Sequence, residues 1–168
     1  KIKSINEIDL EYFDQDLREN KIKILKKKND KYEIRGTKFN ANSLIDSLIK
    51  DEENNLKIFD KNFNFEIKID QVFLDKEYVI NDLNGYLNIK DNKIVNGDLG
   101  AFFSKNEKLK LTIKTNDTEK VTTLFLDQAE PIVKRYKFIK GYKGGSLDFY
   151  SSKKGNKSFS NLKIYDFR

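Results

Sequence analysis

The stretch LDFYSSKKGNKSFSNLKI, from Leu147 to Ile164, leaves its chain few choices, because bulky apolar residues alternate with polar ones on both sides of Gly155-Asn156. That dipeptide favours a two-residue hairpin turn, and such a turn fixes the register. Ser151 then stands opposite Ser160, Phe149 opposite Leu162 and Leu147 opposite Ile164, all on one face. The other face pairs Tyr150 with Asn161, Asp148 with Lys163 and Ser146 with Tyr165, including one favourable charge pair. One side of this hairpin is apolar and the other wet. Whatever covers the apolar side is the central question about the molecule.

The same alternation recurs along the chain. EIDLEYF, KIKILKKK and KYEIRG read as strands, with period two in Ile8, Leu10, Tyr12 and in Ile22, Ile24, and a polar turn at Asp30. FNFEIKI, DQVFL and EYVI follow, with a change of apolar parity near Asp70 that a bulge or bend explains. A three-residue loop at Asp91, Asn92 and Lys93 places Ile89 opposite Val95, Leu87 opposite Gly97, Gly85 opposite Leu99 and Leu83 opposite Ala101. A turn centred on Asn106 then sets Phe103 against Leu109, Ala101 against Leu111 and Leu99 against Ile113, so three strands share one apolar face. Two segments change period. Leu44, Ile45, Leu48 and Ile49 fit one face of a helix capped by Asn42 or Asn40. Val121, Leu124, Phe125 and Leu126 fit a second, with Asp117 as its cap and Pro131 stopping or kinking it, before a strand RYKFI. The expected fold is mainly β (α+β): an antiparallel meander with two short helices.

A chain of 168 residues suits one domain, and 38% apolar content suits a sheet that is apolar on one side. Thirteen Phe and eight Tyr exclude a disordered chain. The net charge of +6 carries no nucleic-acid reading, because acidic residues interleave with basic ones and Arg occurs only at positions 18, 35, 135 and 168. The absence of Cys and His removes thiolate nucleophiles, the usual zinc ligands and imidazole proton shuttles. No catalytic motif stands out: Gly144-Gly145-Ser146 is neither a nucleophile elbow nor a phosphate loop, and reads as a strand entrance with unusual backbone angles. The carboxylates offer no pair to single out, and Asp51-Glu52-Glu53 and Lys26-Lys27-Lys28 read as solvated ends. No catalytic residue, metal ligand or cofactor is expected. No apolar run is long enough to span a membrane. The chain opens at Lys1 without Met, and the expectation is a single domain, 1–168, cut from a longer protein.

The candidate functional residues are therefore the apolar rows. Phe63, Phe65, Ile67 and Ile69 form one, followed by Leu83, Leu87 and Ile89, then Leu99, then Leu109, Leu111 and Ile113, and finally Leu147, Phe149, Leu162 and Ile164. Two readings stand. The rows fill the core of a closed sandwich, or they line a trough that holds lipid tails. Strands lie about 4.8 Å apart and one leaflet of hydrocarbon is about 15 Å thick, so three or four strands cover one acyl chain.

YEIRGTKFNANSLIDSLI, FEIKIDQVFLDKEYVINDLNGYLNIKDNKI, LKLTIKTNDTEKVTTLF, IKGYKGGSLDFYSS and FSNLKIYDF, taken in order, resemble the AsmA-like C-terminal region of bacterial envelope proteins related to AsmA, TamB and YhdP. The likeness covers most of the chain from Tyr32 onward, and its most specific parts are Gly36 to Leu44, Gly85 to Leu87, and Gly144-Gly145 through Leu147 to Asp166-Phe167. It departs at Asn40, where the pattern suggests Asp, and at Asp117-Thr118-Glu119. The resemblance implies a long open β-groove in the periplasm, anchored to the inner membrane by a segment outside this chain. Its implied partners are phospholipid acyl chains, the inner membrane, and periplasmic or outer-membrane proteins. It implies no cofactor, no nucleic acid and no enzymatic step. The alternative is a closed structural or protein-interaction domain of the envelope without lipid cargo.

Overall fold

The computed structural model describes residues 6–29, 31–42, 62–91, 93–136 and 140–167. Ten strands form one sheet in which each strand lies beside its neighbour in sequence. They are β1 (Glu7–Phe13), β2 (Glu19–Lys26), β3 (Lys31–Asn40), β4 (Phe63–Phe73), β5 (Val79–Lys90), β6 (Lys93–Phe102), β7 (Lys108–Thr115), β8 (Lys120–Leu126), β9 (Gly144–Lys154) and β10 (Lys157–Phe167). β1 and β10 pair on one side only, so the sheet is not closed. A short helix, α1 (Glu130–Tyr136), precedes β9.

The sheet is mainly β as expected, with three corrections. β3 and β4 run parallel, with Ile34 beside Ile67, whereas every other neighbouring pair is antiparallel. A parallel pair requires the chain to return the length of a strand between them. The helix expected at Val121 to Leu126 is strand β8. Its apolar residues fit helical spacing, but Val121, Thr122 and Thr123 favour the pleated surface, and alternation brings Thr122, Leu124 and Leu126 to one face. Arg135 and Tyr136, expected in a strand, end α1 instead. The helix expected at Leu44 to Ile49 lies outside the described residues.

In α1, the Ala129 carbonyl accepts from the NH groups of Ile132 and Val133 at 3.1 and 3.0 Å. Pro131 therefore sits in the first turn, where a missing NH costs nothing. Glu130 in the first turn and Lys134 and Arg135 in the last suit the helix dipole.

The closing hairpin has the expected register on both faces, from Ser151 opposite Ser160 to Ser146 opposite Tyr165. Gly144 and Gly145, with φ of +68° and +75°, turn the chain into β9, as expected of a strand entrance. Between β5 and β6 the body of the register also holds: Leu87 faces Gly97 and Gly85 faces Leu99. Its tip differs, because Lys90 pairs with Lys93 and Ile89 with Ile94. The extra residue is a bulge in β6 rather than a third loop residue. A second irregularity leaves Asp82, with φ of +54°, and Leu83 opposite the single residue Ala101. The parity change expected near Asp70 is present, since Ile69 and Val72 are both buried in one cluster. The pairing of β4 stays continuous there, and the slips lie in neighbouring strands, at Lys21/Ile22 and Asn81/Asn84. β6 and β7 pair two residues away from expectation, with Leu99 opposite Leu111 and Ala101 opposite Leu109. The Phe103 NH bonds the Glu107 carbonyl at 2.8 Å, which centres the turn on Lys105 instead of Asn106.

A polar knot ties β1, β2 and β3. Asn20 is fully buried; its Oδ1 accepts from the Asn40 NH at 2.7 Å and its Nδ2 donates to Asp14 Oδ2 at 3.3 Å. The Asn40 Nδ2 donates to the same Asp14 oxygen at 2.5 Å. Asn40 thus supplies a donor that an Asp at this position would lack. The Asn40 amide, above all, holds the Asp14 carboxyl below the usual carboxylate range, helped by the Arg18 NH. A depressed carboxyl supports folding above its unfolded value and loses that support as pH falls through its folded one. Asn40→Asp sets two carboxylates side by side and raises one of them, so its penalty is present at neutral pH and relieved on acidification. The melting-temperature gap between wild type and Asn40→Asp is expected to be widest near pH 7 and to shrink toward about pH 4.5. A gap independent of pH contradicts this account.

Candidate functional site

Reading the register across the sheet gives an unbroken row. Ile8, Ile24, Ile34, Ile67, Gly85, Leu99, Leu111, Leu124, Phe149 and Leu162 stand side by side, one from each strand. None of the ten is buried, and Ile8 and Leu162 are 37% and 41% exposed. With strands about 4.8 Å apart, the row runs roughly 43 Å. Five of the expected site residues lie in it: Ile67, Leu99, Leu111, Phe149 and Leu162. Ile8, Ile24 and Ile34 belong to strands recognised by their alternation, and Leu124 was masked by the helical spacing of its segment.

The next row toward α1 is covered over its middle and its β8–β9 end, while Leu10 on β1 is 41% exposed. It runs through Leu10, Ile22, Gly36, Ile69 and Leu83, then Ala101, Leu109, Leu126, Leu147 and Ile164. Ile22, Ile69, Ala101, Leu126 and Leu147 are buried there. At the β8–β9 end, Ala129 and Val133 of the α1 segment and Tyr142 pack on Leu126 and Leu147, with Phe103, Leu109, Phe149 and Ile164 around them. Ala41, Val72 and Ile80 close the other half together with Ile22 and Ile69. Thus the expected residues Ile69, Leu83, Leu109, Leu147 and Ile164 lie in or against a packed core, and the half-exposed row lies one step away, with Ile24, Ile34, Ile67, Leu124 and Phe149 touching the edge of that core.

Polar bonds fasten α1 over this covered end. The Tyr78 hydroxyl donates to the Glu130 carboxylate, and the Gly144 NH donates to Glu130 Oε1 at 2.8 Å. Lys134 Nζ donates to the Tyr78 oxygen at 2.9 Å and pairs with Glu77 at 3.3 Å. Arg135 donates to the Leu74 carbonyl and, at 2.8 Å, to Asn42 Oδ1. The Tyr78 hydrogen bond, then the Gly144 NH, lowers the Glu130 pKa; burial, then Glu130, raises that of Tyr78. The network joins the helix to the β4–β5 turn. A second tie comes from Arg18, which donates to the carbonyls of Asp75 and Lys76 at 2.8 and 2.9 Å while stacking on Phe73.

Away from α1 the remaining expected residues form a third and fourth row. Phe65, Leu87, Gly97 and Ile113 continue into Thr122, Ser151 and Ser160. Phe63, Ile89 and Ile94 follow, with Phe63 and Phe65 stacked at 5.8 Å and Tyr32 tilted against both at 5.3 and 5.9 Å. Tyr32 was not among the expected site residues, although its alternation with Ile34 carries the signal.

The opposite face is polar and charge-paired. Lys23 meets Glu7 at 2.7 Å, Lys21 meets Glu11 at 3.1 Å, Lys38 meets Glu19 at 2.9 Å and Lys110 meets Asp98. Lys27, then Arg35, draws the Glu33 carboxyl below its usual range. Two hollows, of about 440 and 760 Å³, are lined mainly by this face, with Lys21, Lys23 and Asp70 in the first, Glu66 and Tyr86 in the second, and Arg35 and Lys68 in both. No protein-family model matches the chain, and no curated protein or solved structure matches it.

Proposed function

We propose that this chain is a lipid-handling segment of a bacterial envelope protein, in which the sheet curls into an open groove and conducts phospholipids along its apolar face. The observation that supports this most is the half-open row from Ile8 to Leu162, continuous over ten strands and one step removed from a row of which five residues are buried. A soluble sheet keeps such a face only when something covers it. Acyl chains suit it: hydrocarbon leaving the bilayer for this row keeps an apolar surrounding at about 25 cal/mol per Å² of surface, so the tail moves with little net cost. The open sheet edges at β1 and β10 suit extension by further strands of a longer groove. The resemblance carried by Gly36 to Leu44 and by Gly85 to Leu87 adds the setting: the periplasm, with the inner-membrane anchor outside this chain.

Native mass spectrometry of the chain purified from bacteria tests the reading. Wild type is expected to carry phospholipid. Leu111→Asp, in the middle of the open row, is expected to stay folded and arrive empty, because hydrocarbon does not cover a carboxylate without a partner. A lipid-free wild type contradicts lipid transport, and a Leu111→Asp chain that unfolds shows that Leu111 belongs to a packed interior.

A further inference from the structure

On β7 to β10 the apolar face changes character along the strands. Leu109, Leu126, Leu147 and Ile164 form one row; Leu111, Leu124, Phe149 and Leu162 the next; Ile113, Thr122, Ser151 and Ser160 the third; Thr115, Lys120, Lys153 and Ser158 the fourth. The order is alkyl, alkyl, then hydroxyls beside the buried Ile113, then two ammonium groups flanked by Thr115 and Ser158. Rows on one face are two residues apart, roughly 6.7 Å, so the lysine row lies two steps, roughly 13 Å, from the half-exposed row of Leu111, Leu124, Phe149 and Leu162. Leu126 and Leu147 of the first row are sealed under α1, so a tail seated on these strands meets the second row and carries its head toward the lysines.

The charges in that row are unneutralised. Lys120 and Lys153 stand directly opposite each other on β8 and β9, an arrangement that is destabilising unless an anion lies near. No carboxylate among the described residues pairs with either, in contrast to the matched lysines of the other face. Lys120 is half-buried, and its Nζ donates to the Ile94 carbonyl at 2.8 Å, at the β6 bulge, which leaves two N–H groups. Its pKa is lowered by burial first, then by Lys153 and Lys93, with no acidic group acting against them.

We propose that Lys120 and Lys153 hold the phosphate of an anionic lipid whose tail lies on the half-exposed row of Leu111, Leu124, Phe149 and Leu162, the Thr122, Ser151 and Ser160 hydroxyls lining the interface between the two. The assignment rests on the lipid reading above and adds to it an orientation and a charge preference.

Three probes, a fourteen-carbon alkyl phosphate, an alkylphosphocholine of equal chain length and inorganic phosphate, each kept below any micelle threshold in low-salt buffer, separate the cases by calorimetry. Wild type is expected to bind the alkyl phosphate about tenfold more tightly than the phosphocholine, the scale of one charge-assisted hydrogen bond. Inorganic phosphate is expected to bind far more weakly than either. Lys120→Gln/Lys153→Gln is expected to erase the preference and keep the phosphocholine affinity. The single variant Lys153→Gln, at an exposed position, gives the same test with a reduced preference should the double variant fold poorly. Equal binding of both amphiphiles to wild type overturns the head-group assignment and leaves the lipid reading intact. Inorganic phosphate bound as tightly as the alkyl phosphate also overturns it, as an anion site without a tail. Failure of both amphiphiles to bind overturns the lipid reading itself.

Discussion

Gly85→Ala is expected to cost about 3 kcal/mol of stability or more, whereas Gly100→Ala, across the β5–β6 pair, is expected to stay within about 0.5 kcal/mol of wild type. Gly85 occupies the open apolar row between Ile67 and Leu99. A Cβ on its backbone would lie 1.9 Å from the Asp98 carbonyl oxygen and 3.0 Å from Leu99 Cα. Those are backbone atoms, which cannot swing aside as a side-chain end does. The φ of +138° adds a conformation that an L side chain adopts only with strain. The nearby bulge at Asp82 and Leu83 coils β5 and accompanies this close approach. At Gly100, by contrast, no atom lies within 4 Å of the added Cβ. Urea midpoints of the two variants measure the difference, and a Gly85→Ala midpoint equal to wild type would show that the strands do not approach as described.

The face pattern was legible wherever a short turn fixes the register. Gly155-Asn156 sets every pair from Leu147 to Ile164, and Leu87 opposite Gly97 follows from keeping Asn96 and Asp98 off the apolar side. Errors arose where two solutions give the same faces. A two-residue turn plus a β6 bulge leaves the same body register as a three-residue loop, so Ile94, not Val95, meets Ile89. Moving the next turn from Asn106 to Lys105 slides β7 by two residues, which preserves parity and escapes any alternation argument. Ser104 Oγ, donating to Glu107 Oε2 at 2.7 Å, is the local bond that selects the tighter turn. β8 is ambiguous in sequence because Val121, Leu124 and Phe125 have helical spacing while Leu124 and Leu126 alternate, and its β-branched residues are the deciding signal. Pro131 reads as a helix breaker in sequence, yet in the first turn of α1 it is well tolerated. The parallel β3–β4 pair was not legible, because a long connection leaves register unspecified by local sequence. Among the site residues, sequence located the apolar face but not the boundary between its covered and open rows. On β8 and β9 that boundary depends on where α1 lands, and α1 is held by the distant partners Leu74, Glu77 and Tyr78; on β2 to β5 it depends on Ala41, Val72 and Ile80.

Leu147→Ala and Leu162→Ala probe that boundary directly. The two leucines lie on neighbouring strands, on the same face and one row apart. Leu147 is 1% exposed and packs with Leu126, Ala129, Val133 and Tyr142, while Leu162 is 41% exposed on the edge strand. Truncating Leu147 removes buried methyl groups and leaves a cavity beneath α1, and is expected to cost about 3 kcal/mol. Truncating Leu162 leaves no cavity and is expected to cost less than about 1 kcal/mol in lipid-free protein. The two should separate in the opposite sense in retained lipid: Leu162→Ala shortens the apolar row and lowers bound phospholipid at almost unchanged stability, whereas Leu147→Ala lowers stability first. Equal losses of stability in lipid-free protein would mean that the Leu162 row is covered by protein as firmly as the Leu147 row. If those losses grew with chain concentration, the cover would be a second copy of the chain, since only an intermolecular contact makes stability depend on concentration.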